Sequence, residues 1–436
     1  MAGLFQLLKA NRNYRSTWMA QVVSDVGDNF NNIAVFGLVM QQTHSGMAVG
    51  GVMLARAVGA ILAGPIAGVV LDRFDRKRIM VTSDLCRATI ALAFLLTIHE
   101  KNVGLLLFLS GLLMFASPFF TSGRSSIMPT ITTREELHTA NSLTLTTAWT
   151  SVALGSFLGG AIAAWLGFYV AFLFNALSFI FSAFFISRLR APDKRGFRAE
   201  RSAVAVRRRR PVQEYLDGLR YIYSVPLLTA LALVNVGWAS GGGAAQILFS
   251  LFGEVVFHRG AAGIGEVWGC AGIGLICGGI VSNVWGRHLS FERYRWAIVI
   301  CYVVHGGSYV LFSVCPNYAG ALFFIALSRM GVAASTVLNY TQLLRHTPDR
   351  FRGRVNSTME SITWSTMMLS LTVASYYSQS RSPREIGVVA GVLSSMTAVF
   401  WAWALLSGRL PEPEREGRPQ EEEQEDENAE EVKVHV

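Results

Sequence analysis

Five polar residues recur along the first apolar stretch: Gln21, Asp25, Asp28, Asn29 and Asn32, at i, i+4, i+7, i+8 and i+11. A helical period places all five on one face. Two carboxylates in a segment otherwise apolar enough for a bilayer are costly unless they face water or a countercharge. Burial disfavours the charged form of a carboxylate, so such a pair suits an exchangeable proton or a cationic substrate. At 1.5 Å per residue, Asp28 lies roughly 16 Å from the start of the stretch, near mid-membrane. A structural hydrogen-bond network between helices is the competing explanation.

Other ionisable groups lie at membrane depth. Arg56 is in the outer half of the second stretch and is the expected countercharge for Asp25 and Asp28, because a buried cation needs one. Asp84 and Arg87 are one turn apart in the third stretch and are expected to pair as a structural ion pair. Glu360, one to two turns into the eleventh, and Arg329, midway along the tenth, suit function and structure equally. Glu360 joins Asp25 and Asp28 as a candidate for proton coupling. Asn235, Trp238, Gly242 and Gln246 share a face of the seventh stretch, where Gly241–Gly243 is an expected flexible point. The expected substrate cavity comprises Asn29, Asn32, Arg56, Asn235, Trp238, Gln246, Arg329 and Tyr340, with Thr336, Ser117 and Thr121 as weaker candidates.

Soluble chemistry is not indicated. There is no P-loop lysine motif, no HExxH and no GxSxG, and the glycines of Gly263-Ile-Gly265-Glu-Val-Trp-Gly269 open a membrane span, so they read as packing. Five cysteines without a CxxC or Cys/His cluster support neither a metal site nor a disulfide. No enzyme activity and no cofactor are expected; uphill work falls to a proton gradient.

Membrane helices must position these residues. The chain of 436 residues is 52% hydrophobic and 15% charged, where a soluble chain carries about 25% charged residues, and its mean hydropathy is +0.38. Twelve apolar stretches are each long enough to cross a bilayer: about 17–40, 47–71, 79–98, 103–123, 140–164, 168–188, 226–252, 262–284, 296–314, 318–344, 355–378 and 386–408. This excludes a nucleic-acid-binding domain, a secreted disulfide fold and an outer-membrane barrel, whose strands alternate in segments of about 10 residues. The net charge of +9 splits into −8 over residues 411–436 and +17 elsewhere, and 31 of the 38 Lys and Arg fall on one side of the spans. By the positive-inside rule both termini are cytoplasmic. The long polar stretch 189–224, with Arg207–Arg210, divides the chain at its midpoint, and Asn141-Ser142 and Asn356-Ser357 occupy matching places in the two halves, as a duplicated design predicts. The Glu-rich tail is expected to be disordered.

Between spans 2 and 3 runs Gly68-Val-Val-Leu-Asp72-Arg73-Phe-Asp75-Arg76-Lys77-Arg78. Here Gly68 permits close helix approach, Asp72 can cap the next helix, and the basic residues hold the loop at the anionic leaflet. This loop resembles the signature loop of the major facilitator superfamily, and the resemblance covers about residues 14–408; the family pattern has Gly where Asp75 stands. It implies a cytoplasmic latch for the outward-open state, comprising Gly68, Asp72, Arg73 and Arg76 with Asp84 and Arg87. Gly155-Ser156-Phe-Leu-Gly159-Gly160 is similar to the family's exporter signature Gly-Pro-x-x-Gly-Gly, with Ser156 at the proline, and its glycines allow tight packing. Ser24-Asp25-Val-Gly27-Asp28-Asn29, and Pro118-x5-Arg124-x4-Pro129 followed by Glu136-Leu137-x-x-Ala140-Asn141-Ser142, resemble the siderophore-exporter and macrolide-efflux branch. The first also resembles bacterial lysophospholipid transporters. In the family, spans 1, 4, 7 and 10 line the central cavity.

The expected fold is therefore an all-α integral membrane protein with 12 transmembrane helices in two pseudo-symmetric six-helix bundles. Residues 1–190 form the first bundle, 191–224 a basic linker, 225–410 the second bundle and 411–436 the acidic tail. The expected function is proton-coupled export of an amphipathic small molecule, a drug-like compound or a siderophore, by a monomer in the inner membrane, with the lipid bilayer as surroundings and no nucleic-acid partner. The rivals are a lysophospholipid transporter of the same fold and a non-transporting scaffold or sensor.

Overall fold

The computed structural model describes residues 2–100, 102–190, 197, 211–286 and 289–412. Most of the basic linker and of the acidic tail lie outside the described residues. Twelve long helices are present: α1 (Arg12–Thr43), α2 (Gly46–Arg73), α3 (Arg76–Ala93), α4 (Val103–Ile131), α5 (Arg134–Trp165), α6 (Phe168–Ser187), α7 (Pro226–Leu251), α8 (Gly260–Trp285), α9 (Phe291–Val314), α10 (Tyr318–Arg345), α11 (Asp349–Tyr377) and α12 (Pro383–Leu406). No strand occurs among the described residues.

Local sequence sets the ends. Asn11, Ser45, Asp75, Ser290 and Ser382 each accept a bond from a first-turn amide of the helix that follows. Thr133 and Glu136 form a capping box that starts α5, about six residues before its sequence-expected start. α4 runs to Ile131 through Pro118 and Pro129, which puts Arg124 inside a helix, not in the loop where its sequence position placed it.

Among the described residues, ten helices are long and apolar enough to span a membrane. Of the twelve long helices, the two outside that set are α1 and α11. Their polar residues lower the apolar content: Gln21, Asp25, Asp28, Asn29 and Asn32 on α1, and Ser357, Glu360, Ser361 and Ser365 on α11.

Helix pairing repeats with a shift of six. α1 packs on α5 and α6, α2 on α4, and α3 on α4 and α6; correspondingly α7 packs on α11 and α12, α8 on α10, and α9 on α10 and α12. The halves meet chiefly where α5 lies along α8, and secondarily where α2 meets α7 and α11. The α5–α8 contact needs glycine: a Cβ on Gly160 would lie 2.8 Å from the Cα of Gly265.

The core is not symmetric across the membrane. On the side opposite the chain termini, one continuous apolar cluster joins both halves, from Ile33–Met40 of α1 to Ala244–Leu248 of α7 and Leu371 of α11. On the terminal side the core separates into two clusters. One contains Tyr14, Met80 and Phe120 of the first half, and the other contains Leu227, Tyr294 and Trp401 of the second. The halves are therefore fused at one end and parted at the other.

Candidate functional site

A cavity of about 940 Å³ lies between the halves, beneath the fused core. α1 supplies Asn29, Asn32, Ile33 and Phe36, α2 supplies Met53 and Arg56, and α11 supplies Ser357, Glu360, Ser361 and Trp364. The α11 residues follow i, i+3, i+4 and i+7, so its polar stripe faces that of α1 across the space. Gln246, Trp268, Met114, Met367 and Met368 complete the wall. At the far end the cavity is closed where α2 meets α11: Gly50 packs against Ser375, Gly46 against Ser378, and Gln379 reaches the Met47 sulfur.

The charged network sits directly behind the α1 face. Asp28 lies 3.8 Å from Arg87 and keeps a side-chain exposure of 33%. Arg87 also pairs with Asp84, which accepts a 2.7 Å bond from Ser182. The Arg87 guanidinium is held between the rings of Phe120 and Phe179, at 4.6 and 4.4 Å, a desolvated cation–π geometry. Asp25 accepts a 3.0 Å bond from Gln21, and the charges of Arg124 and Arg87 act on it.

Two expectations are corrected here. Arg56 makes no close ion pair with Asp25 or Asp28 among the described residues, although its charge acts on Asp28; its guanidinium donates to Asn32 and contacts the Met114 sulfur at 3.7 Å. Arg87, expected to be satisfied by Asp84 alone, is the cation that reaches α1. Both follow from α6 packing on α1 and α3 together, which brings the inner part of α3 to the α1 face.

The latch region also departs from its reading. Asp75, not Asp72, caps α3 by accepting the Arg78 amide. The other Asp75 oxygen accepts the Phe197 amide at 3.0 Å, and Phe197 is buried among Leu7, Met80 and Phe120. Among the described residues nothing lies within 4 Å of where a Cβ on Gly68 would stand, so no close helix approach there requires the glycine. Asp72 and Arg73 are exposed, Arg76 donates to the Ser126 carbonyl, and Lys77 donates to the Leu189 carbonyl, each at 2.8 Å.

Of the expected cavity residues, Asn29, Asn32, Arg56 and Gln246 line the space, and so does Glu360, expected for proton coupling. Asn235, Trp238, Arg329 and Tyr340 do not; Tyr340 is 51% exposed, and Arg329 lies over the ring of Phe249 at 4.9 Å. Gly155 and Gly159 abut Asn29 and Phe30, so the small residues of α5 seat it against the polar face of α1. The methionines and tryptophans of the wall carry no sequence signal that separates them from ordinary apolar packing. Glu266, a further membrane carboxylate missed in the sequence, is bound by Tyr318 and by Arg259 at 3.5 Å.

Comparison with known proteins gives a consistent picture. The model of the Major Facilitator Superfamily matches residues 17–369. The enterobactin exporter EntS of Salmonella choleraesuis (strain SC-B67) is 26% identical over 365 residues, covering 80% of this chain and 82% of that protein. Its counterpart in Citrobacter koseri is 25% identical over 366 residues, covering 80% and 81%. Among solved structures, a bacterial homologue of the human lysosomal transporter Spinster, in an inward-facing and unoccupied conformation, superposes with a TM-score of 0.67 at 15% identity over 92% of this chain and 99% of that one. A bacterial homologue of the iron transporter ferroportin, also inward-facing, gives 0.63 at 16% identity over 90% and 98%.

Proposed function

Because the chain belongs to the major facilitator superfamily, and is thus a multi-pass membrane transport protein and not an enzyme, we propose that it exports an amphipathic small molecule in exchange for protons by alternating access. The observation that carries this reading is the cavity. A space of about 940 Å³ with an apolar, methionine-rich wall and opposed polar stripes suits a drug-sized ligand. The similarity to enterobactin exporters supports a siderophore within that class.

Asp28 is the proposed proton carrier. Ionised, it shares Arg87 with Asp84; protonated, it releases its hold and leaves Arg87 to Asp84. A charge-assisted contact contributes about 1.5–3 kcal/mol, enough to move a two-state equilibrium roughly tenfold or more. Asn29, next to Asp28, and Asn32, one turn on, line the cavity from the same helix, so proton and substrate compete for one element. Asp25 tunes the site through Gln21, and Glu360 is the second carboxylate of the cavity. The energy source is the proton gradient, with no cofactor.

The excess of basic residues on the terminal side supports cytoplasmic termini. On that orientation the parted side of the core faces the cytoplasm, and the state described is inward-open, in the inner membrane. The exposure of Asp72 and Arg73 fits a loop released in this state and latched in the other. The division into bundles 1–190 and 225–410, joined by the linker 191–224 and followed by the tail 411–436, accounts for the sixfold shift in packing.

A second reading has its own support. Ile61 and Trp364 both line the cavity and are 67% and 58% exposed, so a mouth lies between α2 and α11 through which a lysophospholipid could pass sideways. Proteoliposomes loaded with a pH dye separate the possibilities. Proton efflux on adding a catecholate siderophore or a cationic drug supports antiport; substrate-dependent lysolipid movement without proton flux supports the second reading. Absence of both overturns the transport assignment of this cavity.

A further inference from the structure

Arg329 is the unexplained cation of the second half. It stands midway along α10 and makes no hydrogen bond or ion pair with any described residue. Its Nε is buried without a partner. Its guanidinium covers the Phe249 ring at 4.9 Å, and Phe249 meets Trp268 of the cavity wall edge-on at 4.9 Å. Gly274 of α8 admits its stem: a Cβ there would lie 2.9 Å from the Arg329 Cβ.

Two further polar groups share this neighbourhood. His305 and Tyr309, one turn apart on α9, are each 2% exposed. The Tyr309 hydroxyl and His305 Nε2 are buried and unpartnered. His305 Nδ1 is already engaged by the Ser328 hydroxyl at 2.7 Å, beside Arg329 in sequence. The Arg329 charge acts on both. A buried donor without an acceptor is costly. Here the Arg329 Nε, a phenol and an imidazole nitrogen lack hydrogen-bond partners together, with no carboxylate paired to any of them among the described residues.

We propose that Arg329, Tyr309 and His305 form a binding site for a small anion inside the second half-bundle. The ligand is a monovalent anion, either a free halide or an acidic group carried by the substrate. The guanidinium supplies charge and fork-like donors, and the hydroxyl and imidazole complete the shell.

The test uses purified full-length protein in nanodiscs, with tryptophan fluorescence as readout because Trp268 adjoins Phe249. Chloride and benzoate are titrated against gluconate. The wild type is expected to show a saturable response, and Arg329→Gln none. Tyr309→Phe should weaken binding roughly tenfold, and Arg329→Lys should keep it with reduced affinity, which guards against a folding artefact. Response to chloride alone assigns a resident ion; response to benzoate alone assigns the acidic group of a substrate; mutual competition assigns one shared site. No saturable response in the wild type, or an unchanged response in Arg329→Gln, overturns the proposal.

Discussion

The two halves of the molecule each bury an arginine against aromatic rings, and they balance its charge differently. In the first half Arg87 lies between Phe120 and Phe179 and is met by Asp84 and Asp28. In the second half Arg329 lies over Phe249 beside His305 and Tyr309, with no acid paired to it. The helices pack in the same pattern, shifted by six, so the backbone architecture does not cause the difference. It teaches that a duplicated scaffold can hold opposite electrostatic designs. One half carries its own countercharges and can alter them by taking up a proton. The other leaves a cation with no carboxylate paired to it among the described residues.

The strongest way to break this comparison is to remove the shared cation of the first half. Arg87→Gln leaves Asp84 and Asp28 without their buried partner and should lower stability by about 3–5 kcal/mol, measured as a fall in thermal midpoint and folded yield in detergent. Adding Asp84→Asn should recover part of the loss. Equal stability of Arg87→Gln and the wild type would show that the network is not a charge balance.

Asp28→Asn should have a smaller effect on folding and a large one on coupling. Uphill, pH-driven transport is expected to be lost and its pH dependence flattened, while downhill exchange persists. Asp25→Asn should keep coupling and lose affinity, because Asp25 is held by Gln21 and does not pair with Arg87. If both amide variants accumulate substrate with normal pH dependence, the proton site lies elsewhere, and Glu360 is the next candidate.

Arg329→Gln sharpens the contrast from the other half. Since no acid is left stranded, its cost in anion-free buffer should be at most about 1 kcal/mol and stabilisation is allowed, as when buried charges are replaced by neutral groups. A loss as large as that of Arg87→Gln would reveal a countercharge that the described residues do not supply. Asp75→Ala, which removes the α3 cap, should likewise cost only about 1 kcal/mol. Asp75→Asn should recover much of it, since an amide oxygen still caps.

Much of the site was legible in the chain itself. The α1 face was readable because Asp25, Asp28, Asn29 and Asn32 violate hydropathy at helical spacing, and such violations are too costly in a bilayer to arise without a local reason. The loop between spans 2 and 3 and the glycines of α5 were readable through their resemblance to family motifs, although the loop's contacts were not. Partners were not readable. Arg56 and Arg87 are both single arginines in apolar spans, and nothing in their neighbours distinguishes the one that reaches Asp28.

The sequence by itself therefore determined the membrane helices, their number and the polar face of α1, since these follow from periodicity and transfer energies that act within one segment. Tertiary structure alone decided that Arg87 joins Asp28, that Asp75 holds Phe197, and that Arg329 stands behind Phe249 instead of facing the cavity. Those outcomes depend on the rotation and depth of helices far apart in the chain. Small glycine contacts such as Gly160 on Gly265 and Gly274 beside Arg329 set that rotation and depth, through close packing that no single segment encodes.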